Sequence, residues 1–407
     1  MPIRPILSAL LRNKTGAVLL VLQIAITMAV IVNAAFIVSQ RLAKMNRDPG
    51  FDVPNMIAFQ SWGFGANYNH EVAVKEDTDY LASLPGVLGV TTTASLPLSN
   101  SGSANTFAAT GEEFDEAGAD TPEIVANTYV MNEQVLDALG VELVAGRTFY
   151  PEEVSYRTPQ HSSFAPSVIM TRDLAIETYG TEDALGKTLY DGLGNPAEVV
   201  GIIENMQGAW VDWDDLTHVL LMPGIAAGPF LRYIVRVEPG RRDEVMRVIE
   251  ETLPARNSER MIRRIQPFTE IVARSYRRDH SMTILLIATV IMLVSITSLG
   301  IIGLASFAVR QRTKQIGTRR AIGATRRDIL GYFMVENWLV TTGGVLLGAL
   351  LTVAVNMWLV DAYSLEKLDW AYIPAGVLIL WVLGQLAVLV PAIRASGIAP
   401  AIATRTV

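Results

Sequence analysis

A long run without charged side chains decides the fold class. Residues 281–309 read SMTILLIATVIMLVSITSLGIIGLASFAV and contain no Asp, Glu, Lys or Arg. Windows 15–40, 337–360 and 371–393 are also free of these residues. Because a helix rises about 1.5 Å per residue, about 20 apolar residues cross a hydrocarbon core of about 30 Å. The pattern predicts an α-helical membrane protein with four transmembrane helices in a 1+3 layout.

The first window follows basic residues, as the apolar region of a secretory signal does. It is about twice as long as such a region, which has about 7–15 residues. We therefore interpret it as an uncleaved helix.

The segment between the first two windows, residues 41–280, is long enough for one or two folded domains. It holds 35 acidic and 20 basic residues, whereas the rest of the chain holds 5 acidic and 13 basic residues. An acidic domain disfavours binding to nucleic acid or to an anionic membrane surface.

Basic residues near the ends of the spans predict the orientation, because they accumulate on the cytoplasmic side. Residues 310–335 carry seven basic residues and one acid, and the N-terminal flank carries Arg4, Arg12 and Lys14. The short loop 361–370 carries three acids and one lysine. Both termini and the loop 310–336 are therefore expected in the cytoplasm, and the large α/β domain outside it.

Two composition features exclude common kinds of catalytic site. The chain has no cysteine, so it has neither disulfides nor thiolate chemistry. Its four histidines are scattered, without the spacing of a metal site. We expect no enzyme activity in this chain and no cofactor bound to it.

The large domain contains two strand, helix, strand patterns. The first covers strand 53–60, helix 71–84 and strand 89–98, and the second covers strand 231–237, helix 241–253 and strand 263–268. Paired units of this kind commonly fold together as a split α/β sandwich. Residues 100–228 then form an inserted subdomain.

Weaker patterns predict the elements of that insert and of the segment that leads into the second span. We predict loops at 99–106 and 111–120, helices at 132–139 and 172–179, and strands at 167–170 and 197–203. Residues 269–280 contain neither Pro nor Gly. This favours a helical stalk continuous with the second span.

Residues 180–188, GTEDALGKT, imitate a phosphate-binding P-loop. Five residues separate the two glycines where the motif has four, and a predicted helix precedes it where the motif needs a strand. An ordinary turn is the better interpretation.

The loop 310–336 has the pattern of a helical hairpin. Arg312, Arg319 and Arg326 are spaced by seven residues, which places them on one helical face. Gly323 suits a helix C-terminus, and Thr325 with Asp328 resembles a capping box. We predict a short helix ending near Ile322, a sharp turn, and a second helix from Arg326 into the third span. A solvated basic loop without further function is the alternative.

Residues 316–329, IGTRRAIGATRRDI, resemble the signature of FtsX-like permease domains in the MacB family of macrolide exporters, also called type VII ABC transporters. Residues 139–141 (LGV), 145–149 (AGRTF) and 184–187 (ALGK) are similar to that family's ectodomain. Glu336 and the segments 391–395 (PAIRA) and 400–401 (PA) fit its C-terminal part.

The resemblance implies a domain layout in a bacterial inner membrane. It comprises a cytoplasmic N-terminus at 1–14, a first span with the start of a stalk at 15–40, a periplasmic core domain at 41–280, spans at 281–309, 337–360 and 371–393, a coupling loop at 310–336, a short periplasmic loop at 361–370 and a cytoplasmic C-terminus at 394–407. Within the core domain it implies a porter subdomain at 51–99 and 229–268, a Sabre-like insert at 100–228 and a stalk at 269–280.

The resemblance also implies a mechanism and partners. A cytoplasmic ABC ATPase binds ATP and Mg, and it is expected as a separate polypeptide because the fused ATPase domain of MacB is missing before the first span. The permease forms a homo- or heterodimer and drives efflux by mechanotransmission, with a periplasmic adaptor and an outer-membrane channel in a Gram-negative cell. The residues expected to couple the ATPase are Ile316, Gly317, Arg319, Arg320, Ile322, Gly323, Arg326, Arg327 and Glu336. Of these, the four arginines are expected to contact either the ATPase or lipid phosphates.

Several residues within the spans have interpretations that remain open. Glu336 is costly at the edge of a span unless it contacts protein or water, or pairs with a nearby arginine. Small residues allow close helix contact. They are Ala25 and Ala29 in the first span, which also fit a dimer seam, and Gly344 and Gly348 in the third. Gln23 and Asn33 are expected to form hydrogen bonds within or between protomers.

Other functions fit the same fold. Within the family, the alternatives are lipoprotein extraction of the Lol type and regulation of cell-wall hydrolases of the FtsX type. A receptor would need a cytoplasmic signalling domain, and an enzyme would need a catalytic constellation, and the sequence shows neither. The cargo carries no motif.

Overall fold

Each of the four charge-free windows coincides with one long helix of the computed structural model, and only Ala371 lies just before its helix. The structure describes residues 14–65, 68–111, 124–157, 164–226, 228, 230–363 and 365–399. The predictions for residues 1–13, 112–120 and 400–407 fall outside these ranges. Contacts divide the chain into a first unit, Met1–Asn46 with Asp279–Val407, and a second unit, Arg47–Arg278.

The first unit is a helical bundle. Helices α1 (Lys14–Met45), α7 (Arg277–Gln311), α9 (Arg326–Tyr363) and α10 (Tyr372–Ser396) are long and apolar enough to cross a membrane. The short helix α8 (Thr313–Ala321) lies between α7 and α9 in the chain. Helix α9 packs against α1 and α10, and α10 also contacts α1.

The second unit contains a four-stranded sheet built from both ends of its sequence. The strands are β1 (Met56–Gly63), β2 (Val87–Thr93), β12 (Phe230–Val237) and β13 (Arg260–Pro267), in the order β13-β1-β12-β2. All neighbours are antiparallel. Strands β1 and β2 belong to the first predicted unit, and β12 and β13 belong to the second. Strand β1 lies between β13 and β12, and β12 lies between β1 and β2, which confirms the predicted split arrangement.

Helices α2 (His70–Ala82) and α5 (Arg242–Arg256) cover one face of this sheet. Asn69 caps the N-terminus of α2, and its side-chain oxygen accepts a hydrogen bond from the Val72 N–H at 3.2 Å. Apolar side chains of both helices and the sheet form one core. Inside it, Arg260 forms an ion pair with Asp77, and the Tyr233 hydroxyl donates to the same carboxylate at 3.1 Å.

The insert forms a sheet that closes on itself. Its strands are β3 (Ala104–Ala108), β4 (Ile124–Met131), β5 (Leu143–Gly146), β7 (Ser167–Thr171), β8 (Thr188–Asp191), β9 (Pro196–Ile203) and β10 (Val219–Pro223). The order is β5-β9-β7-β10-β4-β3-β8, and β8 also pairs with β9. Six strands thus form a closed barrel, and β5 extends from β9.

Shorter elements complete the second unit. Strands β6 (Tyr156–Arg157) and β11 (Ile225–Ala226) form a small parallel pair. Helices α3 (Val135–Leu139), α4 (Arg172–Tyr179) and α6 (Phe268–Ser275) are all short. The predicted helix 172–179 is confirmed at both ends.

Several predicted boundaries are wrong. The strand predicted from residue 53 begins at Met56, because Val53–Asn55 form a 3₁₀ turn containing Pro54. The loop predicted at 99–106 includes the start of β3. The helix predicted at 132–139 begins only at Val135, because the Asn132 side chain donates to the Val90 carbonyl at 3.1 Å and stays outside the helix.

The predicted continuous stalk is also wrong. A one-residue turn at Tyr276 separates α6 from α7. Just before it, the Ser275 hydroxyl donates to the Leu98 carbonyl, and the Asn100 amide donates to the Ser275 carbonyl at 3.2 Å. These bonds hold the end of α6 against the loop after β2, and they account for the interruption.

Candidate functional site

The arginine-rich segment 313–336 folds as a helical hairpin. Helix α8 ends at Ala321, Gly323 has φ +108°, and α9 begins at Arg326. The Thr325 N–H donates to the Asp328 carboxylate at 2.9 Å, and the Asp328 N–H donates to the Thr325 hydroxyl at 3.3 Å. The predicted short helix, glycine turn and capping box are therefore confirmed.

One face of α8 is buried against other parts of the first unit. Ile316 is 5% exposed and belongs to a small apolar cluster with residues of α9 and α10. The other buried members of this cluster are Ile329, Phe333, Ala392 and Ala395. Helix α8 is therefore packed on the first turns of α9 and the last turns of α10.

Arginine side chains add polar attachments to this packing. The Arg320 guanidinium donates to the carbonyl of Ser396 at 3.1 Å and to that of Ile398 at 2.7 Å. Carbonyl groups at a helix C-terminus lack partners within the helix, so a cation there is stabilising. The Arg319 guanidinium lies over the Tyr332 ring, 5.2 Å from its centroid.

Arg312 and Glu336 form the strongest polar contact at the hairpin base. One guanidinium nitrogen of Arg312 lies 2.8 Å and 3.0 Å from the two carboxylate oxygens, and the side chains are 20% and 12% exposed. The predicted pairing of Glu336 with a nearby arginine is confirmed. Arg312 was not singled out as its partner, since 24 residues separate the two.

The opposite face of the hairpin is open. Ile322 is 82% exposed, which is unusual for a large apolar side chain. Arg319, Arg326 and Arg327 are exposed on the same hairpin. An exposed apolar side chain on a hairpin that also exposes arginines fits the composition of a protein-docking surface, in which arginine is enriched.

The structure divides the predicted coupling residues into two groups. Ile322, Arg319, Arg326 and Arg327 are available to a partner. Ile316 and Gly317 are buried within the chain, so the predicted partner contact through Ile316 is wrong. Arg320 and Glu336 contact other parts of the chain and position the hairpin.

The small residues of the first and third spans pack against each other. A Cβ atom on Gly344 would lie 2.7 Å from the Ile24 side chain, and one on Gly348 would lie 2.8 Å from the Met28 side chain. Ala25 and Ala29 are 1% and 2% exposed. The predicted tight helix packing is confirmed, and the alternative of a dimer seam at these two alanines is wrong because the chain itself covers them.

The polar residues of the first span bond within the chain. The Gln23 amide donates to the Ile296 carbonyl on α7 at 3.2 Å. The Asn33 amide donates to the Thr352 carbonyl on α9 at 3.2 Å and to the Ala29 carbonyl at 2.8 Å. Both amides thus donate within one protomer, which is one of the two open interpretations.

The segment that imitates a P-loop is a turn. It follows helix α4 and precedes strand β8, and Gly180 and Gly186 have φ +68° and +74°. A P-loop follows a strand and opens a helix. Within the residues that the structure covers, no group of three or more His, Asp or Glu side chains could hold a metal ion.

The comparisons with known proteins point to one family. A model described as "FtsX-like permease C-terminal" matches residues 285–400. The macrolide export ATP-binding/permease protein MacB of Wolinella succinogenes is 30% identical over 267 residues, which are 61% of this chain and 40% of that protein. MacB of Neisseria meningitidis is 24% identical over 360 residues, which are 86% of this chain and 52% of that protein. The chain thus spans about half the length of these relatives or less.

A solved structure also matches at low similarity. The periplasmic region of MacB from Actinobacillus actinomycetemcomitans aligns with 56% of this chain and 95% of its own length. The sequence identity is 16% and the TM-score is 0.33.

Proposed function

We propose that this chain, which is similar to MacB proteins and matches an FtsX-like permease domain over residues 285–400, is an ABC permease that couples ATP hydrolysis by a cytoplasmic ABC ATPase to movement of its large α/β domain. The movement drives efflux of a drug, peptide or toxin by mechanotransmission. The protein lies in a bacterial inner membrane with both termini in the cytoplasm and the large domain in the periplasm.

One observation carries this proposal: α8 is fixed on one face and open on the other. The Ile316 cluster and the Arg312–Glu336 pair attach α8 to α9, and Arg320 attaches it to the end of α10. The uncovered side of the hairpin exposes Arg319 on α8, Ile322 in the turn, and Arg326 and Arg327 at the start of α9. A helix attached in this way moves together with the bundle when a partner pulls on its open face.

The chain also provides a direct route from α8 toward the large domain. Arg312 alone separates α8 from α7, and α7 is one helix from Arg277 to Gln311. A displacement of α8 therefore reaches the residue that follows the Tyr276 turn without crossing a flexible loop. Transport by this route requires no substrate path through the spans.

We further propose that the ATPase is a separate polypeptide that binds ATP and Mg, and that the permease acts as a dimer. A periplasmic adaptor and an outer-membrane channel complete the assembly in a Gram-negative cell. Purification of the tagged chain from its native membrane in mild detergent tests these partners. An ABC ATPase with an adaptor supports export, whereas an ATPase with a lipoprotein carrier or a wall hydrolase supports the alternatives. Recovery without any ATPase contradicts the coupling function.

Substitutions on the open face test the docking surface itself. Ile322→Asp and Arg319→Glu should leave membrane insertion intact and abolish co-purification of the ATPase. Arg394→Glu is the matched control, because Arg394 is exposed in the last turn of α10 and lies outside the hairpin. Normal ATPase recovery with both hairpin variants would contradict this docking site.

A further inference from the structure

The four-stranded sheet has a second face that is only partly covered. Side chains alternate along a strand, so Ile57 and Phe59 point to the helices α2 and α5. Trp62 lies on the opposite face, next to Phe230 and Met261 on the neighbouring strands. Trp62 is 45% and Met261 50% exposed, so this end of the face is open to solvent.

Arginine side chains lie over the aromatic rings of this face. The Trp62 and Phe230 rings meet edge to face with centroids 5.3 Å apart. The Arg263 guanidinium lies 5.4 Å from the Trp62 centroid, and the Arg232 guanidinium lies 4.5 Å from the Phe230 centroid. We call Trp62, Phe230, Arg232, Met261 and Arg263, together with the neighbouring Arg264, the arginine–aromatic face.

Within the part of the chain that the structure describes, no carboxylate pairs with the charges of this face. Among the described residues, Arg232, Arg263 and Arg264 form no ion pair with a carboxylate, although the segment 41–280 has 35 acidic residues. Desolvation by burial lowers the pKa of the Arg232 guanidinium, and the positive charge of Arg264 lowers it further. Like charges that lie together without a counter-ion lower the stability of the fold. Such unpaired clusters of cations are found at sites where an anionic partner binds.

The backbone at Arg264 is strained. The pairing of β1 with β13 shifts register between Ala58 and Gln60, where β13 has one extra residue. Arg264 lies in this bulge with φ +53°, a conformation in which glycine is preferred. A backbone conformation of this kind costs about 1 kcal/mol at a residue other than glycine. That an arginine occupies the position despite this cost suggests that its side chain has a function.

We propose that the arginine–aromatic face binds an acidic peptide segment that carries aromatic or apolar side chains. The exposed face is too open to enclose a small molecule, whereas an extended peptide matches the spacing of side chains across strands. A second copy of the same face would oppose arginine to arginine, so the charges favour an acidic partner. This binding goes beyond the coupling function and requires no ATPase.

Fluorescence anisotropy of a labelled random copolymer of glutamate and tyrosine tests the proposal. The full chain is used in nanodiscs of zwitterionic phosphatidylcholine, so that the membrane carries no competing anions. Arg263→Ala, Arg264→Asn and Trp62→Ala should each weaken binding by about tenfold or more, as expected for central interface residues. Polyglutamate without tyrosine should bind more weakly than the copolymer.

Two controls distinguish a loss of binding at this face from a general loss of positive charge and from a loss of folding. Arg247→Ala removes an exposed arginine on α5 and should leave the affinity unchanged. Arg264→Asn suits the bulge backbone, so its thermal midpoint should not fall while its affinity does. No binding by the wild-type chain, or an equal loss with Arg247→Ala, would overturn the proposal. Displacement of the copolymer by short-chain phosphatidylglycerol would also overturn it, in favour of a lipid headgroup.

Discussion

Arg312 and Glu336 join the base of helix α8 to the third long helix, α9, with a nitrogen–oxygen distance of 2.8 Å. The Arg312 guanidinium also lies 3.3 Å from the Tyr332 hydroxyl oxygen. Both side chains are mostly shielded from solvent. Loss of one partner therefore leaves the other charge poorly solvated, which is costly.

This pair gives the first prediction. Glu336→Ala should lower the free energy of unfolding by about 1–3 kcal/mol and should make residues 310–326 more sensitive to protease. Thermal unfolding in detergent and limited proteolysis measure the two effects. Glu250→Ala, which removes an exposed carboxylate from α5, is the control. Equal protease sensitivity in the Glu336 variant and the wild type would show that the pair does not hold the hairpin.

Two adjacent glycines of α9 give a second, matched prediction. A Cβ on Gly344 would lie 2.7 Å from Ile24, whereas a Cβ on Gly343 would lie 3.6 Å from Val21 in ordinary contact. Alanine is favoured over glycine within a helix by about 1 kcal/mol. Gly343→Ala should therefore be neutral or stabilising, while Gly344→Ala should destabilise the bundle by about 1–3 kcal/mol. Equal thermal midpoints would contradict the close packing of α1 on α9.

The third prediction concerns pH. A bidentate hydrogen bond from Arg147, at 2.7 Å and 2.9 Å, lowers the pKa of Glu153 from 4.5 to about 2. Because the folded-state pKa is below the unfolded one, the stabilisation is full above about pH 5 and is lost as the pH falls toward 2. After allowance for solvent screening it is worth about 1 kcal/mol. Thermal midpoints of Glu153→Gln should show a smaller decrease between pH 5 and pH 3 than those of the wild type.

The fourth prediction tests the orientation. Because the chain contains no cysteine, a single introduced thiol reports its own location. Leu193→Cys in the insert and Thr318→Cys on α8 both place the thiol at an exposed position. In spheroplasts, a membrane-impermeant maleimide should label the first directly and the second only after permeabilisation. The reverse pattern would place the basic loop outside the cytoplasm.

Local sequence patterns were sufficient for some of this architecture. The four charge-free windows, the glycine turn at Gly323 and the Thr325–Asp328 box depend on neighbouring residues, and the structure shows all of them. The two strand, helix, strand units were recognisable for the same reason. The interleaved order of their strands does not follow from the local patterns. It was expected only because units of this kind commonly pair in that way.

Contacts between distant residues could not be read from these patterns. Ile316 and Ile322 look alike in sequence, yet Ile316 is 5% and Ile322 is 82% exposed because α9 and α10 cover only one side of α8. Strands β4 and β10 were not predicted as strands, although each is an apolar stretch. Their roles depend on partners in the barrel that are far away in the chain.

The strand order of the large domain also determines when it can fold. Strand β1 pairs with β12, so that Ile57 meets Val235 only after the whole insert has been synthesised. The pairs that close the barrel lie within residues 104–223 and become available earlier. Long-range strand pairing is slow because the intervening chain must first be ordered. During synthesis the barrel should therefore fold first, and β1 and β2 should remain unpaired until β12, which lies between them in the sheet, is available.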